Sequence, residues 1–174
     1  MKASVFIATS LDGFIARLDG GLDWLPEDGG EPHGYDEFVA TVDAHVIGRK
    51  TFEFVLAYGG WLYGKKPVIV LSSTMTELKV PEGAVCDLMA GTPNDIVTRL
   101  AERGFKHLYV DGGVTIQGFL EAGLIQRLII TRIPVLLGSG IPLFGHLSRD
   151  IRLEHVATRS YASGMVQSEY VIRG

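Results

Sequence analysis

Short apolar runs alternate with helical spacings along most of this chain. Ala3-Ser4-Val5-Phe6-Ile7-Ala8 opens it and predicts a first strand over 3–9. Tyr35, Phe38, Val39 and Val42 recur at helical spacing and predict a helix over 34–43. Ala44-His45-Val46-Ile47 reads as a buried strand ending at Gly48, 50–57 as a short helix, and Pro67-Val68-Ile69-Val70-Leu71 as another buried strand. A further strand is expected at 84–88. Thr92 suits an N-cap, Pro93 the first helical position and Gly104 the closing residue of a helix through Arg103. Lys106 to Val110 reads as a strand, 115–123 as a helix closed by Gly123, and Leu128 to Ile133 as a strand again. Alternating positions over 151–158 and 165–173 predict a pair of antiparallel strands.

Strands alternating with helices through residue 123, then strands alone, predict an α/β fold on a mainly parallel sheet with antiparallel C-terminal strands. Ligands on such sheets bind outside the carboxyl ends of the strands. Gly48, Ser72 and Gly112 fall at those ends. Gly and Pro are spread as turn punctuation, with no repeat or linker, so residues 1–174 are expected to form one domain.

The totals narrow the function classes. Hydrophobic residues make up 47% and charged residues 21%, an ordinary soluble composition. A net charge of −4 argues against a nucleic-acid partner, whose backbone calls for a basic surface. No stretch approaches the roughly 20 apolar residues of a membrane helix. Cys86 is the only cysteine, so no intrachain disulfide can form, which is compatible with a cytoplasmic protein. The five histidines are scattered without metal spacing, and no metal is expected.

The candidate chemistry sits in three segments. Gly48-Arg49-Lys50-Thr51-Phe52-Glu53 begins a helix straight after a strand. Gly48 lets a phosphate approach the backbone, the helix start offers free N–H groups, and Thr51 adds a hydroxyl. Arg49 and Lys50 are the cations of this turn; taken alone, they fit a solvated helix start equally well. Leu71-Ser72-Ser73 closes the next strand, and Asp111-Gly112-Gly113-Val114-Thr115 joins a third strand to a helix. Alone, the Gly-Gly pair is a tight turn. Three such strand ends together predict a nucleotide-phosphate site.

These segments, with others, resemble the dihydrofolate reductase superfamily, above all the branch containing the reductase domain of bacterial riboflavin biosynthesis. Ser10-Leu11-Asp12-Gly13-Phe14-Ile15-Ala16 is similar to that branch's S-x-D-G-x-I-A segment, and Gly48 to Glu53 to the superfamily's G-R-x-T-x-E turn. Asp19 to Leu25 resembles the loop that covers the nicotinamide. Gly112 to Thr115, Phe119 to Leu124 and Pro134 to Phe144 read like the riboflavin branch. The resemblance implies a dihydrofolate-reductase-like three-layer fold, NADPH as cofactor, a small-molecule substrate and a homodimer.

It also implies residue roles. Arg49 would contact the 2′-phosphate, with a planar fork of donors suited to a dianion. Lys50, Thr51, Leu71, Ser72 and Ser73 would hold the adenosine end, and Asp111 to Thr115 the pyrophosphate. Ala8, Ile15, Gly20 and Leu22 would line the nicotinamide pocket or its lid, although Ile15 fits core packing equally well. Trp24, His33 and Thr131 are the candidate substrate contacts. The Gly20-Gly21 and Gly29-Gly30 pairs predict a mobile lid over 19–33.

The proton has no obvious donor. Dihydrofolate reductases carry a carboxylate on the first long helix. Here the superfamily's spacing back from Gly48 falls near Pro32. Asp36 is one turn later and is a candidate for the acid. So is Asp12, which fits a turn cap before Gly13 equally well. The missing carboxylate favours an NADPH-dependent reductase of a pyrimidine-like or pteridine-like substrate, in its most specific form 5-amino-6-(5-phosphoribosylamino)uracil reduction. Dihydrofolate reduction and a non-catalytic nucleotide-binding module are the alternatives.

Overall fold

The computed structural model describes residues 1–26 and 31–173. Its main sheet has eight strands: β1 (Lys2–Ser10), β3 (Ala44–Gly48), β4 (Val68–Leu71), β5 (Cys86–Met89), β6 (His107–Asp111), β7 (Arg127–Ile133), β9 (Leu153–Ser160) and β10 (Val166–Ile172). Their order is β5-β4-β3-β6-β1-β7-β10-β9. The first six run parallel, and β10 and β9 add antiparallel to that edge. A second sheet pairs β2 (Phe14–Ala16) with β8 (Ile141–Pro142).

Both faces of the parallel part are covered, which is why its strands read as continuous apolar runs. α1 (Tyr35–Ala40) and α2 (Arg49–Ala57) lie on one face. There Phe38 and Val42 pack with Phe6, Tyr109 and Ile129, and Phe52 packs with Ile47, Val68 and Val70. α3 (Pro93–Glu102) and α4 (Gly113–Glu121) cover the other. Ile96, Leu100, Ile116, Phe119 and Leu120 meet Val5, Val46, Leu108, Val110 and Leu128 there. Each fully buried large apolar side chain contributes about 1.5–3 kcal/mol.

Pairing around β1 is uneven. β1 matches β7 over seven residues, from Ser4↔Arg127 to Ser10↔Ile133, but β6 over only three, ending at Ser4↔Tyr109. Beyond Ser4 the ladder between β1 and β6 stops, so the carboxyl ends of the two strands are unpaired with each other, a slit in the ladder. Ala8 flanks the slit on one side, and Asp111 and Gly112 end the strand on the other.

The predicted elements all form, with shifted ends. The first helix is shorter than 34–43, because Thr41 closes it: its hydroxyl and its N–H both bond the carbonyl of Phe38. β2 and β8 were not predicted. The Gly29–Gly30 pair lies outside the described residues.

Candidate functional site

Two helix starts converge beside the slit. α2 begins at Gly48 and α4 at Gly112, and among the described residues neither has a side-chain cap, so no described side chain takes up the first-turn N–H groups of either. A Cβ on Gly48 would stand 2.9 Å from the Thr115 hydroxyl oxygen. A Cβ on Gly112 would stand 2.6 Å from that of Thr51, and the residue has φ +93°. Thr51 and Thr115 thus close on the glycine of the opposite strand end; at Gly112 the positive φ also favours glycine, and at Gly48 a side chain would have to displace the Thr115 hydroxyl. The result is a concave nest of backbone donors and two hydroxyls, suited to a phosphate.

Arg49 stands exposed at the start of α2. Its Nη1 donates to Thr74 Oγ1 at 3.4 Å, and its Nε lies 3.8 Å from Glu53. Ser72 Oγ accepts from the backbone N–H groups of Thr74 and Met75, at 3.2 and 3.0 Å. That turn holds Ser72, Ser73 and Thr74 beside Arg49, just past Leu71, which pairs with Gly48 in the ladder. Lys50 and Val114 point to solvent, Val114 at 84% exposure in the first turn of α4.

A roof lies over the start of α4. A Cβ on Gly113 would stand 3.1 Å from Ile15 of β2 and 3.4 Å from Ile141 of β8. Asp12 pins this roof. Its carboxylate accepts from the Ser10 hydroxyl at 2.6 Å and from the N–H groups of Leu137 and Gly138 at 3.2 and 2.8 Å. The Ser10 hydroxyl bond, with those backbone donors, holds its carboxyl below the ordinary range. The turn before Gly13 is closed by Ser10, whose hydroxyl accepts from the N–H of Phe14. Gly20 donates to the Arg17 carbonyl in the following loop, where Leu22 is half-buried.

On the α1 side of the slit stands a carboxyl of a different kind. Asp111 is half-buried, its only hydrogen bond among the described residues being the one from the Gly112 N–H at 2.7 Å. Burial pushes its pKa up against that one favourable bond. Tyr35 of α1, 36% exposed, has its own pKa pushed up to about 12 by partial burial and by the charges of Asp111 and Asp36. Asp36 itself lies exposed in the first turn of α1, with no hydrogen bond to a described residue. His33 stacks against Phe6 with ring centroids 5.5 Å apart. Thr131 pairs with Ala8. The Nε1 of Trp24 is buried without a partner among the described residues.

Residues 2–167 match the family model for the RibD C-terminal domain. The chain belongs to that family. A crystal structure of a candidate riboflavin biosynthesis protein from Shewanella sp. PV-4 superposes with a TM-score of 0.92, at 41% identity over all of both chains. The uncharacterized protein YwjB of Bacillus subtilis (strain 168) is 32% identical, covering 98% of this chain and 97% of its own. Dihydrofolate reductase from Enterococcus faecalis, solved with NADP(H), shares the fold at a TM-score of 0.69 and 20% identity, covering 99% and 97% of the two chains. The fold is therefore dihydrofolate-reductase-like, as the sequence motifs implied. No helix among the described residues is long and apolar enough to cross a membrane.

Within this RibD C-terminal fold the structure gathers Gly48, Thr51, Gly112 and Thr115 at one point, and sets Arg49 beside the Ser72 turn. It leaves Asp12 and Asp36 apart from each other: one bonded into the roof, the other in solvent. Sequence reasoning missed two features. The burial that raises the Asp111 carboxyl pKa comes from the fold and not from its neighbours in sequence. Gln167 of β10 bonds Thr131 through a register that only the folded sheet defines.

Proposed function

We propose that this RibD C-terminal domain is an NADPH-dependent reductase acting on a small pyrimidine-like or pteridine-like heterocycle. The observation that carries the reading is the pair of uncapped helix starts closing on Gly48 and Gly112. A cradle that any Cβ would fill fits the phosphates of a dinucleotide. In it Thr51, Thr115 and the first N–H groups of α2 and α4 would bind the pyrophosphate. Arg49, Ser72 and Ser73 would hold a 2′-phosphate, with Lys50 adding positive charge. Ala8, Ile15, Gly20 and Leu22 would wall the ring, and Trp24, His33 and Thr131 the substrate. When bound, NADPH supplies the hydride.

The proton falls to Asp111 in this reading. A half-buried carboxyl with a raised pKa stays protonated further toward neutral pH and can donate a proton beside the slit. It takes the place of the helix carboxylate missing near Pro32. Asp12 then positions the roof, and Asp36 stays a solvated helix residue. The most specific substrate is 5-amino-6-(5-phosphoribosylamino)uracil, supported by membership of the family. The reading takes residues 1–174 as one domain, working as a homodimer in the cytoplasm.

Calorimetry with NADPH and NADH tests it. NADPH is expected to bind tighter, and Arg49→Ala to weaken NADPH roughly tenfold or more while leaving NADH nearly unchanged. Equal weakening of both would remove Arg49 from the 2′-phosphate, and failure of the wild type to bind either would end the reductase reading.

A further inference from the structure

β7 and β10 set Thr131 opposite Gln167, and both side chains are buried, at 3% and 9% exposure. Gln167 Nε2 lies 3.0 Å from the Thr131 hydroxyl oxygen and 3.0 Å from the His33 carbonyl oxygen. A backbone carbonyl only accepts, so the atom facing it is the amide nitrogen, and the orientation of the amide follows. Both amide protons are then used. The Thr131 oxygen receives one of them, and the hydroxyl's own proton has no acceptor among the described residues. On its other side Thr131 pairs with Ala8, half-buried at the slit.

We propose that Gln167 is a specificity-determining residue: it occupies the Thr131 oxygen as an acceptor and so makes the hydroxyl a donor toward the substrate, selecting a ring carbonyl over a ring amino group. This rests on the reductase reading above. A substrate C=O takes the free hydroxyl proton and leaves every group satisfied. An amino group can use only the remaining lone pair, and it strands the hydroxyl proton in a buried place. Recognition sites that hydrogen-bond a ligand reject the mismatched analogue for this reason. The Gln167 oxygen has no partner among the described residues. The residue lines a groove of about 490 Å³ together with Phe6, His33 and Ile129.

The test uses two minimal probes, pyrimidin-4-one and 4-aminopyrimidine, titrated by NMR into the NADP⁺-loaded protein. The wild type is expected to prefer the oxo probe by roughly tenfold. Gln167→Leu, which frees the hydroxyl to turn either way, should reduce that preference to within about twofold. Gln167→Glu should invert it: a carboxyl oxygen accepts from the Thr131 O–H, and the hydroxyl then offers only lone pairs to the ligand. Thr131→Val, close to Thr in shape, should remove the preference even if the Gln167 variants fold poorly. A wild-type preference for the amino probe, or the same preference in all variants, overturns the proposal. So does binding of neither probe by protein that still binds NADPH, a result that leaves the cofactor site standing. Loss of NADPH binding itself would strike the underlying reading.

Discussion

At the start of α3, Thr92 and Asp95 exchange hydrogen bonds and close the first turn with the helix's own side chains. α2 and α4 begin at Gly48 and Gly112 with nothing comparable. A capping box of this kind is worth about 1 kcal/mol, and Ser, Thr, Asp and Asn supply it readily. Three of the four helices forgo it, and two of those, α2 and α4, start side by side at the ends of the paired strands β3 and β6. A helix end closed by its own residues serves stability. A pair of open ends, set around two closely packed glycines, leaves its donors available to an anion.

The sharpest way to break that contrast is Gly112→Ala. The new Cβ would press on Thr51 Oγ1, and the positive φ strains any L side chain. NADPH affinity is expected to fall roughly a hundredfold, with about 1–3 kcal/mol lost from stability by denaturant unfolding. Unchanged NADPH binding in folded protein would mean that the two open ends are not the anion site.

A second prediction sharpens the contrast at the other end of the strand that leads to Gly48. His45 is 1% exposed between Tyr63 and Tyr109, and neither ring nitrogen has a partner among the described residues. These are open polar groups too, but they open onto core rather than solvent. Burial first, and then the Lys66 ammonium, push its pKa down to about 4. The unfolded chain takes up the proton near the ordinary value of about 6.5, before the folded one does. Stability is therefore expected to fall as pH drops from about 6.5 toward 4, by up to about 3 kcal/mol, and to level off below. His45→Phe should flatten that part of the profile in urea melts and leave NADPH binding alone. A profile as steep as wild type would sink the assignment.

The smallest effect belongs to the closed end. Thr92→Ala should cost about 1 kcal/mol in a thermal or urea melt and change NADPH affinity by less than about twofold. A large loss of binding there would erase the distinction between closed and open helix ends.

The element order was legible because apolar runs and helical spacings are local. The Thr92–Pro93 start was legible for the same reason, being written in adjacent residues. β2 and β8 were not: at three and two residues, neither has a pattern of its own, and each exists by pairing with the other across the chain. The cofactor-side candidates lay in glycine-bearing turns, so the residues that meet at Gly48 and Gly112 were all named in advance. Asp111 was named for its place in the turn, whereas the burial that raises its carboxyl pKa comes from the fold. The two acids chosen as proton donors were picked by motif and by helix position. What surrounds each carboxyl, two loop N–H groups for Asp12 and water for Asp36, is settled only by the fold. Gln167 carried no signal, because a glutamine in a late strand gains meaning only from the partner opposite it.

The sheet order has a consequence for how the chain is made. β1 precedes every other strand of its sheet, yet both its neighbours, β6 and β7, come from residues after 106. By then β3, β4 and β5 have all been synthesised and can pair among themselves. The earliest strand of the sheet is thus among the last to find its place, and an apolar segment waits unpaired while residues 11–106 are made. A nascent chain stalled before β6 should hold the β3–β4–β5 ladder with β1 still open to protease.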